Sequence, residues 1–118
     1  MATHRHERVR ELLKRTIGEA IRRELPVRDA GLITVNDIEL GGDFRNAKVF
    51  ISIFGNPEQQ KTGLTMLQQS RPLIQSHVAR EVIMKNIPRI RFFVDDSVER
   101  GNRVLRLIEE LEQSPPQS

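Results

Sequence analysis

The chain has 118 residues, of which 37% are hydrophobic, 30% charged and 4% aromatic, with a net charge of +3 and no cysteine. That length suits one domain with a core of its own, and the missing thiols exclude a disulfide framework or thiolate metal site and fit a cytoplasmic chain. No apolar run approaches the roughly 20 residues of a membrane-spanning helix, and Met-Ala-Thr-His-Arg-His-Glu-Arg, with no apolar stretch behind its charges, is not expected to act as a secretory signal.

Residues 5–25 are predicted to form an amphipathic helix. Val9, Leu12, Leu13, Thr16, Ile17, Ala20 and Ile21 recur at helical spacing, with Arg8, Lys14, Arg15, Arg22 and Arg23 mostly off that stripe. Gly18 weakens this helix by about 1 kcal/mol relative to Ala and suggests close packing, and Pro26 ends it. After a turn at Asp29-Ala30-Gly31, Leu32 to Leu40 reads as a strand. Ile33 and Val35 lie on one parity and Ile38 and Leu40 on the other, so a bulge or bend is expected near Asn36-Asp37. Beyond Gly41-Gly42-Asp43, Ala47 to Phe54 is the clearest strand, with Ala47, Val49, Ile51 and Ile53 on one face and Lys48, Phe50, Ser52 and Phe54 on the other. The short connection implies an antiparallel pair.

Asn56 and Pro57 suit the cap and first position of a helix, interrupted early by Gly63 and buried through Leu64, Met66 and Leu67. Ser70-Arg71-Pro72 marks a break, after which Leu73, Ile74, His77, Val78, Val82 and Met84 keep helical spacing up to Asn86. Pro88 stops that run, and Ile90 to Val94 forms a third strand with Ile90, Phe92 and Val94 inward. Asp96 and Glu99 have capping-box spacing for a last helix, Val98 to Glu112, and residues 113–118 form a disordered polar tail beyond a single domain of residues 1–112. The order helix–strand–strand–helix–helix–strand–helix predicts an α+β plate. Its three-stranded mixed sheet has the second strand in the centre, antiparallel to the first and parallel to the third through a right-handed crossover, with helices on one face.

The charge is not spread evenly. Residues 1–28 hold eight Arg and Lys against four Glu, and residues 71–91 hold five cations against the single acid Glu81, while the rest of the chain is net acidic. Concentrated cations favour phosphate contact because each contact releases condensed counterions; Arg-rich faces that merely stay solvated are the bland alternative.

The element order resembles the type II KH fold, and three stretches narrow the likeness to the ribosome-binding factor A family. They are Thr34-Val35-Asn36-Asp37-Ile38-Glu39, then residues 43–53 beginning Asp43-Phe44-Arg45-Asn46-Ala47-Lys48-Val49, and Pro88-Arg89-Ile90-Arg91-Phe92-Phe93-Val94-Asp95-Asp96-Ser97, the most specific. With Arg5-His6-Glu7-Arg8-Val9 at the start, the likeness covers roughly residues 5–112. The resemblance implies a KH-like plate that binds immature small-subunit ribosomal RNA in the cytoplasm during late maturation, without catalysis or cofactor. It makes the small ribosomal subunit the expected partner, leaves room for an assembly GTPase, and suggests a monomer with no membrane contact. Two departures stand out. There is no Gly-x-x-Gly clamp between helices, and where the family has a small-residue kink the aligned residues are Ser70-Arg71-Pro72. The family's acid after the signature proline is replaced by Arg89.

The candidate RNA-binding residues are therefore Ser70, Arg71 and Pro72 at the bend with Arg80, Lys85, Arg89 and Arg91 beside it, and secondarily Arg5, Arg8, Arg10 and Arg15. Other constellations have plainer explanations. Phe50, Phe54 and Phe93 with Lys48 and Arg91 could stack unpaired bases, but a covered hydrophobic cluster accounts for them better. His77 and Glu81 share a helix face, but with no third metal ligand in sight a packed histidine is expected. Asp95 and Asp96 suit a strand end and a helix cap rather than a catalytic pair. A generic KH single-strand binder and a protein-interaction or dimerisation adapter using the Phe face are the rival readings.

Overall fold

The structure, a computed structural model, describes residues 2–95 and 105–107. The first helix, α1, runs Ala2–Glu24, and its apolar stripe is the reason it docks: Leu13, Ile17, Ala20 and Ile21 are buried, with Val9 and Leu12 packed at the margin. Arg22 and Arg23 stand in its last turn, where cations complement the exposed carbonyls. Gly18 does not mark close packing. A Cβ there would meet only the Arg22 guanidinium at 3.5 Å, an ordinary contact.

Where a turn was expected, Val27–Ala30 forms a short helix, α2, closed by Gly31 at φ +75°. Glycine is needed at that point, since an L side chain is strained there and its Cβ would stand 2.8 Å from the Phe54 carbonyl oxygen. Strands β1 (Leu32–Leu40) and β2 (Asn46–Phe54) then pair antiparallel, with the register shifting between Val35 and Asp37. The bulge explains the parity switch in the sequence. Val35 opposes Ile51 and Ile38 opposes Val49, so the single extra residue, Asn36, lets both halves of β1 turn their apolar side chains to the same, helix-covered side. Across the other face runs a polar chain: Thr34 Oγ1 donates to Asn36 Oδ1 (3.1 Å), Asn36 Nδ2 donates to Ser52 Oγ (2.7 Å), and Ser52 Oγ donates to the Asp95 carbonyl (3.3 Å).

Asn56 caps α3 as expected. Its side chain accepts from the Gln59 amide, and Gln59 reaches back to the Asn56 amide, a complete capping box. Two expectations for this region are corrected. The helix is continuous from Pro57 to Glu81, 25 residues that include both Gly63 and Pro72, and it stops at Val82 rather than Asn86. Proline inside a helix costs about 3 kcal/mol, but the buried Leu67, Ile74 and Val78 flank Pro72 and each stabilise by about 1.5–3 kcal/mol. Packing therefore outweighs the local break. Leu73, expected inside, is 57% exposed beside the exposed proline. Gly63 is there for approach rather than interruption, because a Cβ would collide with the Ala30 carbonyl oxygen of α2.

Strand β3 (Arg89–Asp95) lies parallel to β2, which is central as predicted, and the order β1-β2-β3-β4 makes the mixed sheet four-stranded. The fourth strand is the short β4, Leu105–Leu107, antiparallel to β3. Those three residues were expected in the last helix; strand pairing with Phe93, Val94 and Asp95 takes them instead. The remainder of the predicted Val98 to Glu112 helix, its Asp96 cap and the 113–118 tail lie outside the described residues. Helices α1 and α3 pack on each other and on the sheet, giving the α+β plate the element order implied.

Candidate nucleic-acid interface

The topology brings the start of the first basic segment and the later part of the second to one end of the plate. Strand β1 runs toward the 41–45 turn, while β2 and β3 start from it: the Arg89 amide donates to the Arg45 carbonyl at 2.9 Å. Helix α1 begins there too, with the His6 ring 4.6 Å from that of Phe44 and the Arg5 guanidinium 5.3 Å from the same ring. Helix α3 ends there, carrying Arg80 in its last turn, and the chain then passes through Lys85 to Arg89. Exposed Arg5 and Lys85, 80 positions apart in sequence, line one hollow of about 370 Å³ with Phe44, Ile83 and Met84. The first turn of α1 has no acid, so the partial positive charge of its amides adds to the field of these cations.

Two local devices hold this end in shape. Gln75 on α3 reaches the start of β3, its Nε2 donating to the Pro88 carbonyl (2.9 Å) and its Oε1 accepting from the Ile90 amide (2.9 Å). That clamp fixes where the 82–88 connection hands over to Arg89. In the 41–45 turn, Asp43 accepts from the Arg45 amide (3.0 Å) and lies 3.5 Å from its guanidinium, so this acid is engaged locally. Arg80 and Lys85 have no ion pair among the described residues.

The other candidates spread from this centre. Arg89 and Arg91 lie opposite Asn46 and Lys48 of β2, on the sheet face away from the helices. Ser70 and Arg71 are half-buried and Pro72 exposed, and they sit on α3 about 15 Å before its end at 1.5 Å per residue. Arg71 and Gln75 share one α3 stripe, so a band of polar and cationic side chains runs from the proline past the Gln75 clamp to the end of the plate. Arg8 and Arg15 are exposed on the outer side of α1, whereas Arg10 lines a separate hollow of about 390 Å³ along β1 with Asp37, Glu39 and Lys48.

The Phe face is largely closed. Phe50 is 5% exposed and packs on Phe93 with centroids 5.7 Å apart, while Lys48 pairs with Glu39 at 3.7 Å; Phe54, at the far end, is half exposed. His77 is a packed histidine. It is buried, and its Nδ1 accepts from Arg23 Nη2 at 2.8 Å, since a guanidinium only donates. Asp95 is buried at the end of β3. Sequence reasoning missed Gln75 and Phe44, which carry no charge and only gain meaning once distant segments meet.

Among solved structures, the fold is similar to the crystal structure of ribosome-binding factor A from Thermus thermophilus, with a TM-score of 0.63 and 25% identity over 75% of this chain and 92% of that one. It is also similar to a homology model of the Thermus thermophilus factor fitted into a cryo-EM map of a 30S–RbfA complex, with a TM-score of 0.59 and 27% identity over 70% of this chain and 86% of that one. The plate is thus KH-like. Among sequence relatives, ribosome-binding factor A of Gloeobacter violaceus is 40% identical over 94% of this chain and 88% of its own length. That of Natranaerobius thermophilus is 34% identical over 94% and 85%. The profile of the family described as Ribosome-binding factor A matches residues 5–108. With the fold, the relatives and the profile in agreement over most of its length, the chain belongs to the ribosome-binding factor A family.

Proposed function

We propose that this protein is a cytoplasmic, non-catalytic assembly factor that docks on immature small-subunit ribosomal RNA and assists late maturation of the small subunit. The observation that carries the reading is the convergence of Arg5 from one basic segment with Arg80, Lys85 and the start of β3 at Arg89 from the other at one end of the plate. The related Thermus factor has been placed in a 30S complex, and none of the described helices here is long and apolar enough to cross a membrane. The band through Arg71 and Pro72 extends the docking face along α3, and Arg91 extends it onto the sheet. Binding would favour one RNA conformation by its higher affinity for that state.

The test is co-sedimentation of the full chain with ribosomal particles. Enrichment on free small subunits is expected, and enrichment on full ribosomes instead would overturn the assembly role. Replacing Arg80, Lys85 and Arg89 together by Ala should lower the slope of log affinity against log salt by about 2, at roughly 0.7–0.9 per lost phosphate contact. A triple variant that binds small subunits with the wild-type slope would show that the docking face lies elsewhere.

A further inference from the structure

The hollow at the basic end is lined by more than cations. Ile83 is 99% exposed and lies outside the core cluster. Phe44 also lies outside it, and its backbone is held at φ +60°, a left-handed conformation that costs a bulky residue about 1–3 kcal/mol. Ile83 is not explained by the fold's own packing, and Phe44 is half-buried against His6 and Arg5 at the start of α1. Both face the same 370 Å³ space, a size within the roughly 300–1,000 Å³ of small-molecule sites. Arg5 lies over the Phe44 ring, and its planar guanidinium lines the same space. Val9, Asp43, Met84, Lys85 and Asn86 complete the lining.

Building on the reading that this end docks on RNA, we propose that the hollow receives the base of one unpaired, unstacked nucleotide. An apolar and π-faced wall of Phe44, Ile83 and Arg5 suits the face of a base, Lys85 suits the flanking phosphate, and the Asn86 amide offers a donor and an acceptor to the base edge. A base inside a duplex has its faces covered and cannot enter. A purely apolar partner would leave the cations unmatched. Asp43, which also lines the hollow, is engaged by Arg45, which lessens its repulsion of a phosphate.

The variants Phe44→Gly and Ile83→Ser remove the wall without removing charge. Glycine tolerates the left-handed backbone and Ile83 is solvent-exposed, so both should melt no more than a few degrees from wild type. The probes are a labelled single-stranded RNA of mixed sequence, a blunt RNA duplex, and purified small subunits, each titrated at several salt concentrations. Each variant is expected to lose roughly five- to a hundredfold in affinity for the single strand and the subunits, the scale of one base stack, with the salt slope unchanged and little change on the duplex. If both variants bind single strand and subunits as wild type does, or lose equally on the duplex, the nucleotide pocket is overturned while RNA docking stands. Failure of the wild type itself to bind subunits would instead sink the docking reading.

Discussion

Gly18 and Gly63 both sit inside long helices, and only their surroundings tell them apart. At Gly18 a methyl group has room, so Gly18→Ala should stabilise the protein by about 0.5–1 kcal/mol through lost unfolded-state freedom. At Gly63 the same methyl meets the Ala30 carbonyl, so Gly63→Ala should destabilise by about 1–3 kcal/mol as α3 is pushed off α2. Urea denaturation of the two variants checks the opposite signs, and two shifts of the same sign would contradict the packing described. At this scale the sequence was a partial guide. The charged candidates and the Asn56 cap could be named from residue type and spacing. The clamp by Gln75, the left-handed Phe44 and the Arg23–His77 bond could not, because each depends on a partner far along the chain.

Elements were legible where periodicity is strong. The stripe of α1, the alternation of β2 and the parity switch of β1 each encode burial directly, and the bulge at Asn36 followed from that switch. Helix α3 was misread because Pro72 is a local signal and Leu67, Ile74 and Val78 are a tertiary one; burial won. Leu105–Leu107 were misread for a related reason, since helical spacing cannot reveal that β3 presents an edge to them. The proline gives a direct test. Pro72→Ala supplies the helical amide donor that proline lacks and removes a cost of about 3 kcal/mol, against at most about 1 kcal/mol gained by the unfolded chain. We expect a net gain of roughly 1–2 kcal/mol in thermal or urea unfolding. Because no cation is lost, the salt slope of subunit binding should stay at the wild-type value.

For the whole molecule, a net charge of +3 conceals the property that matters, which is where the cations finish. Residues 1–28 and 71–91 look like two separate basic stretches in the sequence; antiparallel packing of α1 and α3 about the sheet places the start of one beside the end of the other. The clustered charge therefore made phosphate contact a candidate, while the proposed docking end had to await the topology. The triple Ala variant and the two wall variants address this end in complementary ways, one through salt dependence and the other through affinity at fixed salt.

The pairing of β2 with β3 also sets an order of events as the chain folds. Strands β1 and β2 are neighbours joined by a short turn, whereas Ala47 and Ile90 meet only after all of α3 has been placed between them. Closing the larger loop costs more entropy before any contact rewards it. The hairpin, with α1 laid across it, should therefore form in the transition state ahead of β3. Stopped-flow refolding of Val49→Ala should show a slowed folding arm, while Phe92→Ala should mainly hasten unfolding. A newly made chain would thus complete its basic end last, since Lys85 and Arg89 reach their places only when the parallel strand closes.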